Sequence, residues 1–185
     1  MNHIADLLFQ AKILKEIPRS GYHFLGSGNE SIAEHTFMIS MIAFVMTKLN
    51  PEIDALKLIN MCLVHDLPES RTGDLNTVQK QYVTADEEQA VADTIRDLPF
   101  GDTIADLIRE FNTGKTTEAK LAKDADQLAF IIDLKALADV GYAPPNKWLQ
   151  FVIKRLQTDT GKAIAQGIMK TDWDGWWLKN YIDRK

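Results

Sequence analysis

The sequence predicts an all-α protein, a single compact bundle of about six to nine helices. Three observations carry that prediction. Apolar residues recur at three- and four-residue spacing along most of the chain. Helix-start patterns stand at two points, Ser31 with Glu34 and Thr84 with Glu87. No stretch sustains the period-two alternation that a half-buried strand requires.

Ile4, Leu7, Leu8, Ala11 and Leu14 share one face of a first helix, which Pro18 and Gly21 end. The RSGYHFLGSGNE stretch that follows is rich in Gly, Ser and Asn and reads as a mobile loop. Ser31 and Glu34 form a capping box, each side chain satisfying a backbone donor of the other, so a long helix starts near Ile32. His35, Ile39, Ile42, Met46 and Leu49 then lie on one stripe, which turns the histidine toward the core. Asn50 and Pro51 break this helix. Ile53, Leu56, Ile59, Cys62 and Leu63 carry a third one up to His65 and Asp66.

Pro68 and Gly73 bracket a turn-like LPESRTGD, and Thr84 with Glu87 opens a polar helix that closes near Pro99. A shorter helix follows over about 102–111. From about Thr117 to Val140, Leu121, Ala125, Leu128, Ile132 and Ala136 stripe a central helix, with Asp126 beside the stripe. GYAPPN interrupts the chain before an amphipathic helix containing Trp148, Val152 and Leu156. In the terminal DWDGWW segment, Trp173, Trp176 and Trp177 could shape a dimer surface or a lid, and burial against the bundle is the expectation.

At 185 residues the chain fits one domain, 1–185, with neither an internal repeat nor a convincing linker. Its formal charge of −5 argues against binding nucleic acid polymers through a broad cationic surface, so a phosphate-bearing ligand would need a local cationic site. Cys62 is the only cysteine, which excludes an intrachain disulfide and a cysteine-built zinc site. The N-terminus lacks the pattern of a signal peptide and no run approaches about 20 apolar residues. A cytoplasmic protein without membrane attachment is expected.

Histidine and carboxylate therefore remain as ligand chemistry. His35, the adjacent His65 and Asp66, and the distant Asp126 all ride on predicted helices close to apolar stripes. Two neutral imidazoles and two carboxylates suit a divalent ion and largely offset its charge. Individually each has a plainer reading, His35 as a hydrogen-bonded core histidine and Asp126 as a carboxylate paired with a neighbouring cation.

Together the four residues, an H, then HD, then a distant D, resemble the defining pattern of the HD-domain phosphohydrolase superfamily. ESIAEHTF around His35, LVHDLPESRTGDL around His65 and AKDADQLAF around Asp126 are similar to stretches of the HD-domain 5′-deoxynucleotidases. The resemblance covers roughly residues 5–140 and leaves helices at about 145–182 outside it. It implies one divalent ion (Co, Mn, Ni, Zn, Fe or Mg) held by His35, His65, Asp66 and Asp126. It selects Asp126, which precedes Gln-Leu, over Asp124. Helix geometry agrees, since Asp124 lies about 200° away beside Lys120 and Gln127 and reads as a solvated charge.

The resemblance also implies a catalytic pair, Glu69 for proton transfer and Asp74 for orienting water or sugar; their plain readings are a loop charge and a turn aspartate. Arg19 in KEIPRSGY is similar to the family's phosphate-binding arginine. Where some bacterial relatives have a tryptophan next, this chain has Ser20, with Tyr22 the nearest aromatic substitute. Arg71 and Lys123 read as surface charges. The implied reaction is hydrolysis of a deoxyribonucleoside 5′-monophosphate, a small-molecule substrate, by a homodimer. Two alternatives stay open: another HD nucleotide phosphohydrolase, acting on triphosphates or as a phosphodiesterase, or a noncatalytic helical module stabilised by metal.

Overall fold

The computed structural model describes residues 1–182, and over them the secondary structure is helical, with a lone antiparallel bridge between Pro18 and Ser31. The α-helical segments run α1 Asn2–Ile13, α2 Tyr22–Leu25, α3 Ile32–Leu49, α4 Ala55–Val64, α5 Glu69–Thr72 and α6 Glu87–Ile95. After them come α7 Gly101–Thr113, α8 Thr117–Asp139, α9 Pro145–Val152, α10 Asp159–Met169 and α11 Gly175–Ile182. Two of these eleven, α2 and α5, are four-residue turns, which leaves nine longer helices among the described residues.

α8 is the axis of the bundle. At 23 residues it is the longest element, and it packs against α3, α4, α7, α9 and α10. Its buried residues, among them Leu121, Ala122, Ala125, Leu128, Ala129, Ile131 and Leu134, go well beyond one stripe, because neighbours surround it. A second cluster gathers Leu14, Ile32, Leu67, Leu98, Ile104 and Ile108 where α1, α3, α6 and α7 meet. The HD turn after α4 passes between the two clusters and is held from both sides.

Local chemistry sets the helix starts. The Ser31/Glu34 capping box forms in both directions, and Asp54, Thr116 and Thr158 cap α4, α8 and α10 through their side chains. The second expected box does not form. Asp86 caps α6 by accepting from Gln89 N, and the helix begins at Glu87 rather than after Thr84.

Several other expectations need correction. Leu56 and Leu63 are exposed, because α4 turns Leu58, Met61 and Cys62 inward and leaves those two leucines on its outer side, and Leu49, the last residue of α3, is exposed as well. The 19–30 stretch is tied down: Arg19 N donates to Glu30 O at 2.8 Å, Ile32 N donates to Ile17 O at 3.0 Å, and Tyr22 and Leu25 are buried. The tryptophans are not packed away: Trp173, Trp176 and Trp177 are 45%, 76% and 43% exposed.

By length and composition α3, with 18 residues and a mean hydropathy of 1.3, could cross a membrane. In this bundle, however, His35, Thr36, Ile39, Ala43 and Met46 are buried in it, and its neighbours α4 and α8 cover that side.

Candidate metal centre

The end of α4, the α5 turn and the middle of α8 bring site residues to one cavity wall, and α3 sets the buried His35 behind it. His35 sits one turn into α3, fully buried, and its Nε2 is 2.8 Å from Asp126 Oδ1 on α8. His65 closes α4 and its Nε2 lies 3.2 Å from Asp66 Oδ1. Arg19 joins the two pairs: its guanidinium nitrogens lie 3.9 Å from Asp66 Oδ2 and 3.8 Å from Asp126 Oδ1. The four proposed ligands and the proposed phosphate-binding arginine therefore meet in one small volume.

The donors are paired off with one another rather than preassembled: among the described residues no three His, Cys, Asp or Glu side chains already surround one point at ligand geometry. The chemistry of the set still fits a divalent ion. His65 Nδ1 faces the Cys62 carbonyl at 2.9 Å, and since a carbonyl only accepts, Nδ1 carries the hydrogen and Nε2 keeps a lone pair toward the cavity. Asp66 Oδ2 is buried without a hydrogen-bond partner, an orphaned acceptor of the kind a cation satisfies. His35 Nδ1 stands 3.3 Å from Glu30 Oε2, close but out of line for a well-formed hydrogen bond. A carboxylate behind the outer nitrogen of a ligating imidazole is a recurrent support in metal sites.

The electrostatics follow from crowding charge in a dry place. Burial works against a charged His35, yet its contacts with Asp126 and Glu30 outweigh that and raise it to about 9. For Asp126, burial pushes upward and is outweighed by the hydrogen bond from His35 and the charges of His35, Arg19 and His65, so the carboxyl is held below its ordinary range. Burial, then the charges of Asp66 and Asp74, push Glu69 up to about 9. Its Oε2 is buried and unpartnered. Burial, then the nearby aspartates, push the Cys62 thiol up to about 12, so it is an inert core residue.

Asp74 Oδ2 accepts from Ser20 N at 2.8 Å, which ties the Arg19 segment to the turn after α5. Tyr22 is buried, its hydroxyl bonded to the Asp133 carboxylate and 3.5 Å from Glu30 Oε2. Its ring borders the cavity and its polar end is already committed. Glu30 and Asp133 were absent from the sequence reading. Asp133 lies seven residues beyond Asp126, and that helical spacing was the available signal.

Asp124 departs from the sequence expectation. It is fully buried, and it accepts from Gln157 N and Thr158 N, both at 2.8 Å, and from Thr158 Oγ1 at 2.6 Å. It is an internal anchor for the start of α10 and not a solvated charge. Arg71 is likewise engaged, bonding Gln10 and Thr94 side chains at 3.1 Å each and so joining α5 to α1 and α6. Lys123 lies 5.6 Å over the Phe111 ring.

The cavity has a volume of about 1320 Å³. Arg19, His65, Asp66, Glu69, Asp74 and Asp126 line one part of it, and the 75–80 segment, α6, α7, α9 and further residues of α8 line the rest. Phe111 of α7 packs on the His65 ring with centroids 4.4 Å apart.

The family profile described as HD domain matches residues 11–168. The chain is 33% identical over 131 residues to a 5′-deoxynucleotidase HDDC2 of Dictyostelium discoideum, covering 64% of this chain and 69% of that protein. It is 30% identical over 178 residues to the 5′-deoxynucleotidase HDDC2 of Danio rerio, covering 85% and 88%. Among solved structures, the PH0347 protein from Pyrococcus horikoshii OT3 superposes with a TM-score of 0.74 at 25% identity, over 90% of this chain and 98% of that one.

Proposed function

The chain belongs to the HD-domain family of phosphohydrolases, and from that premise we propose that it hydrolyses deoxyribonucleoside 5′-monophosphates to the deoxynucleoside and inorganic phosphate. Arg19 carries this reading. A guanidinium fork standing within 4 Å of two ligand-type aspartates, on the wall of a large cavity, is suited to hold a phosphate where hydrolysis would occur.

His35, His65, Asp66 and Asp126 would hold one divalent ion. When bound, that ion supplies positive charge that makes water more acidic and offsets charge on the phosphoryl oxygens. Glu69, whose environment favours the protonated form, holds and returns a proton beside the scissile bond. Asp74 keeps the Arg19 segment in register through Ser20 N and faces the sugar or the attacking water. Tyr22, with its hydroxyl bound inward, gives the substrate a rigid ring edge.

We take the working unit to be a single-domain homodimer in the cytoplasm, acting on a free nucleotide. An exposed apolar stripe along α3, including Phe37, Met41 and Phe44, supports the pairing.

The test is phosphate release by metal-stripped protein, resupplied with each divalent ion in turn, from a panel of deoxy- and ribonucleoside monophosphates. Metal-dependent release that prefers deoxy substrates and is lost in Asp126→Ala and Glu69→Ala is the expected result. Release only from triphosphates or cyclic nucleotides overturns the substrate, and no release from any nucleotide overturns the reaction.

A further inference from the structure

The carboxylate-rich wall accounts for only part of the cavity. α9 and the turn after it present Lys147, Trp148, Phe151 and Arg155 to the same space. Lys147, Phe151 and Arg155 are four residues apart and share one helical face, with Trp148 beside them. Phe151 is 65% exposed between those two cations.

Aromatic rings connect this face to the metal wall. Phe130 stands one helical turn, about 5.4 Å of rise, beyond Asp126 on α8. Its ring meets Trp148 edge to face, with centroids 5.9 Å apart and planes at 76°. Such a pair leaves flat ring surface uncovered, and both residues line the cavity while only partly buried. Next to Asp126, Gln127 donates from Nε2 to the Asp126 carboxylate at 2.8 Å, while its Oε1 is buried and unpartnered. The cavity thus carries a carboxylate and arginine end, an orphaned amide acceptor, and a flat aromatic surface edged by cations. One helical turn and one ring contact lead from the carboxylate and arginine end to the Trp148 ring.

We propose that α9 forms the nucleobase subsite, with Trp148 as the stacking surface, Phe151 as its outer edge, and Lys147 and Arg155 as donors to acceptor atoms on the base rim. Stacking is tolerant of base identity because every base has a π-face. The subsite therefore fits purine and pyrimidine nucleotides alike. This inference rests on the nucleotide reading of the same cavity.

The experiment compares wild type, Trp148→Ala and Trp148→Phe on a deoxynucleoside monophosphate and on 2-deoxyribose 5-phosphate, which keeps sugar and phosphate and lacks the base. Trp148→Ala is expected to raise KM for the nucleotide roughly tenfold or more with kcat within about twofold. It should leave KM for 2-deoxyribose 5-phosphate unchanged, and Trp148→Phe should restore most of the nucleotide affinity. An equal loss on both substrates, or no change in the nucleotide KM, overturns the proposal.

Calorimetric titration of the nucleotide into the same three proteins reads binding without turnover. If wild type binds and Trp148→Ala does not while neither hydrolyses, the subsite stands and the reaction falls. If wild type binds no nucleotide, both fall.

Discussion

At the scale of single residues, the chemistry concentrates in carboxylates that the fold buries for different purposes. Glu69, pushed up to about 9 by burial and by Asp66 and Asp74, compares with about 4.3 for an unfolded glutamate. Between those values the folded protein holds a proton that the unfolded chain has released, so stability falls as pH rises through that window. Glu69→Gln removes this dependence. The metal-stripped variant should melt above the wild type at mildly alkaline pH while turnover drops about 10²–10⁴-fold. A lower melting point there, or retained turnover, contradicts the role. Asp124 is buried for structure instead. Asp124→Ala strands two backbone donors and the Thr158 hydroxyl, and urea unfolding should show a loss of about 2–3 kcal/mol. Gly161→Ala should be similarly costly, since a Cβ there collides with the Asp124 carboxylate. The two aspartates also show what sequence can reveal at this scale. Asp126 was selected by its motif, whereas the partners of Asp124 lie 33 and 34 residues downstream, where no local pattern points to them.

At the scale of elements, sequence signals worked where the cause was local. The box at Ser31 and Glu34 is a four-residue arrangement and forms as read, whereas Thr84 and Glu87 carry the same spacing but lose to Asp86, one residue before the helix. The inward face of α4 was misjudged because apolar residues surround that helix, and only its packing on α3 and α8 decides which are covered. α11 is preceded by a tether to the end of α8. Trp173 N donates to Asp139 Oδ2 at 3.0 Å, and Lys135 pairs with the same carboxylate. Against the opposing effect of burial, the Lys135 hydrogen bond, the Trp173 backbone donor and the Lys135 charge lower the Asp139 pKa. A depressed carboxyl contributes stability that is complete above its unfolded value of about 3.9 and is lost as pH falls through the folded value below that. Tryptophan emission should therefore shift at acid pH before the bundle melts, as α11 comes away. Asp139→Asn should show the shifted emission already at neutral pH. Emission that changes only together with global unfolding would mean that α11 is held by other contacts.

At the scale of the whole molecule, the all-helical class was legible because apolar spacing is written into every long element, and the convergence of the candidate ligands was legible because their motif residues sit in three short stretches. The α9 side of the cavity was not, since α9 meets α8 only through tertiary packing. The same limit applies to the outer surface of α3. Phe37, Met41, Phe44, Val45 and Leu49 are 64%, 48%, 48%, 43% and 59% exposed and fall on one side of an otherwise core helix. Glu34 stands at one end of that side and Lys48 at the other. A second copy related by a twofold axis across α3 would run antiparallel to it, set each Glu34 toward the opposite Lys48, and cover the apolar stripe with its own equivalent. Beside Phe37 and Met38 lies a shallow hollow of about 430 Å³, room for an inserted side chain. Stable interfaces bury about 800 Å² per partner, more than this stripe alone supplies, so flanking residues must join the contact. Sedimentation of the wild-type chain at micromolar concentration should give a dimer, and Met41→Asp with Phe44→Asp should give a monomer whose turnover per chain stays within about twofold, because the stripe faces away from the cavity. A monomeric wild type would remove α3 as the pairing surface, and a double variant that remained dimeric would move the interface elsewhere on the bundle.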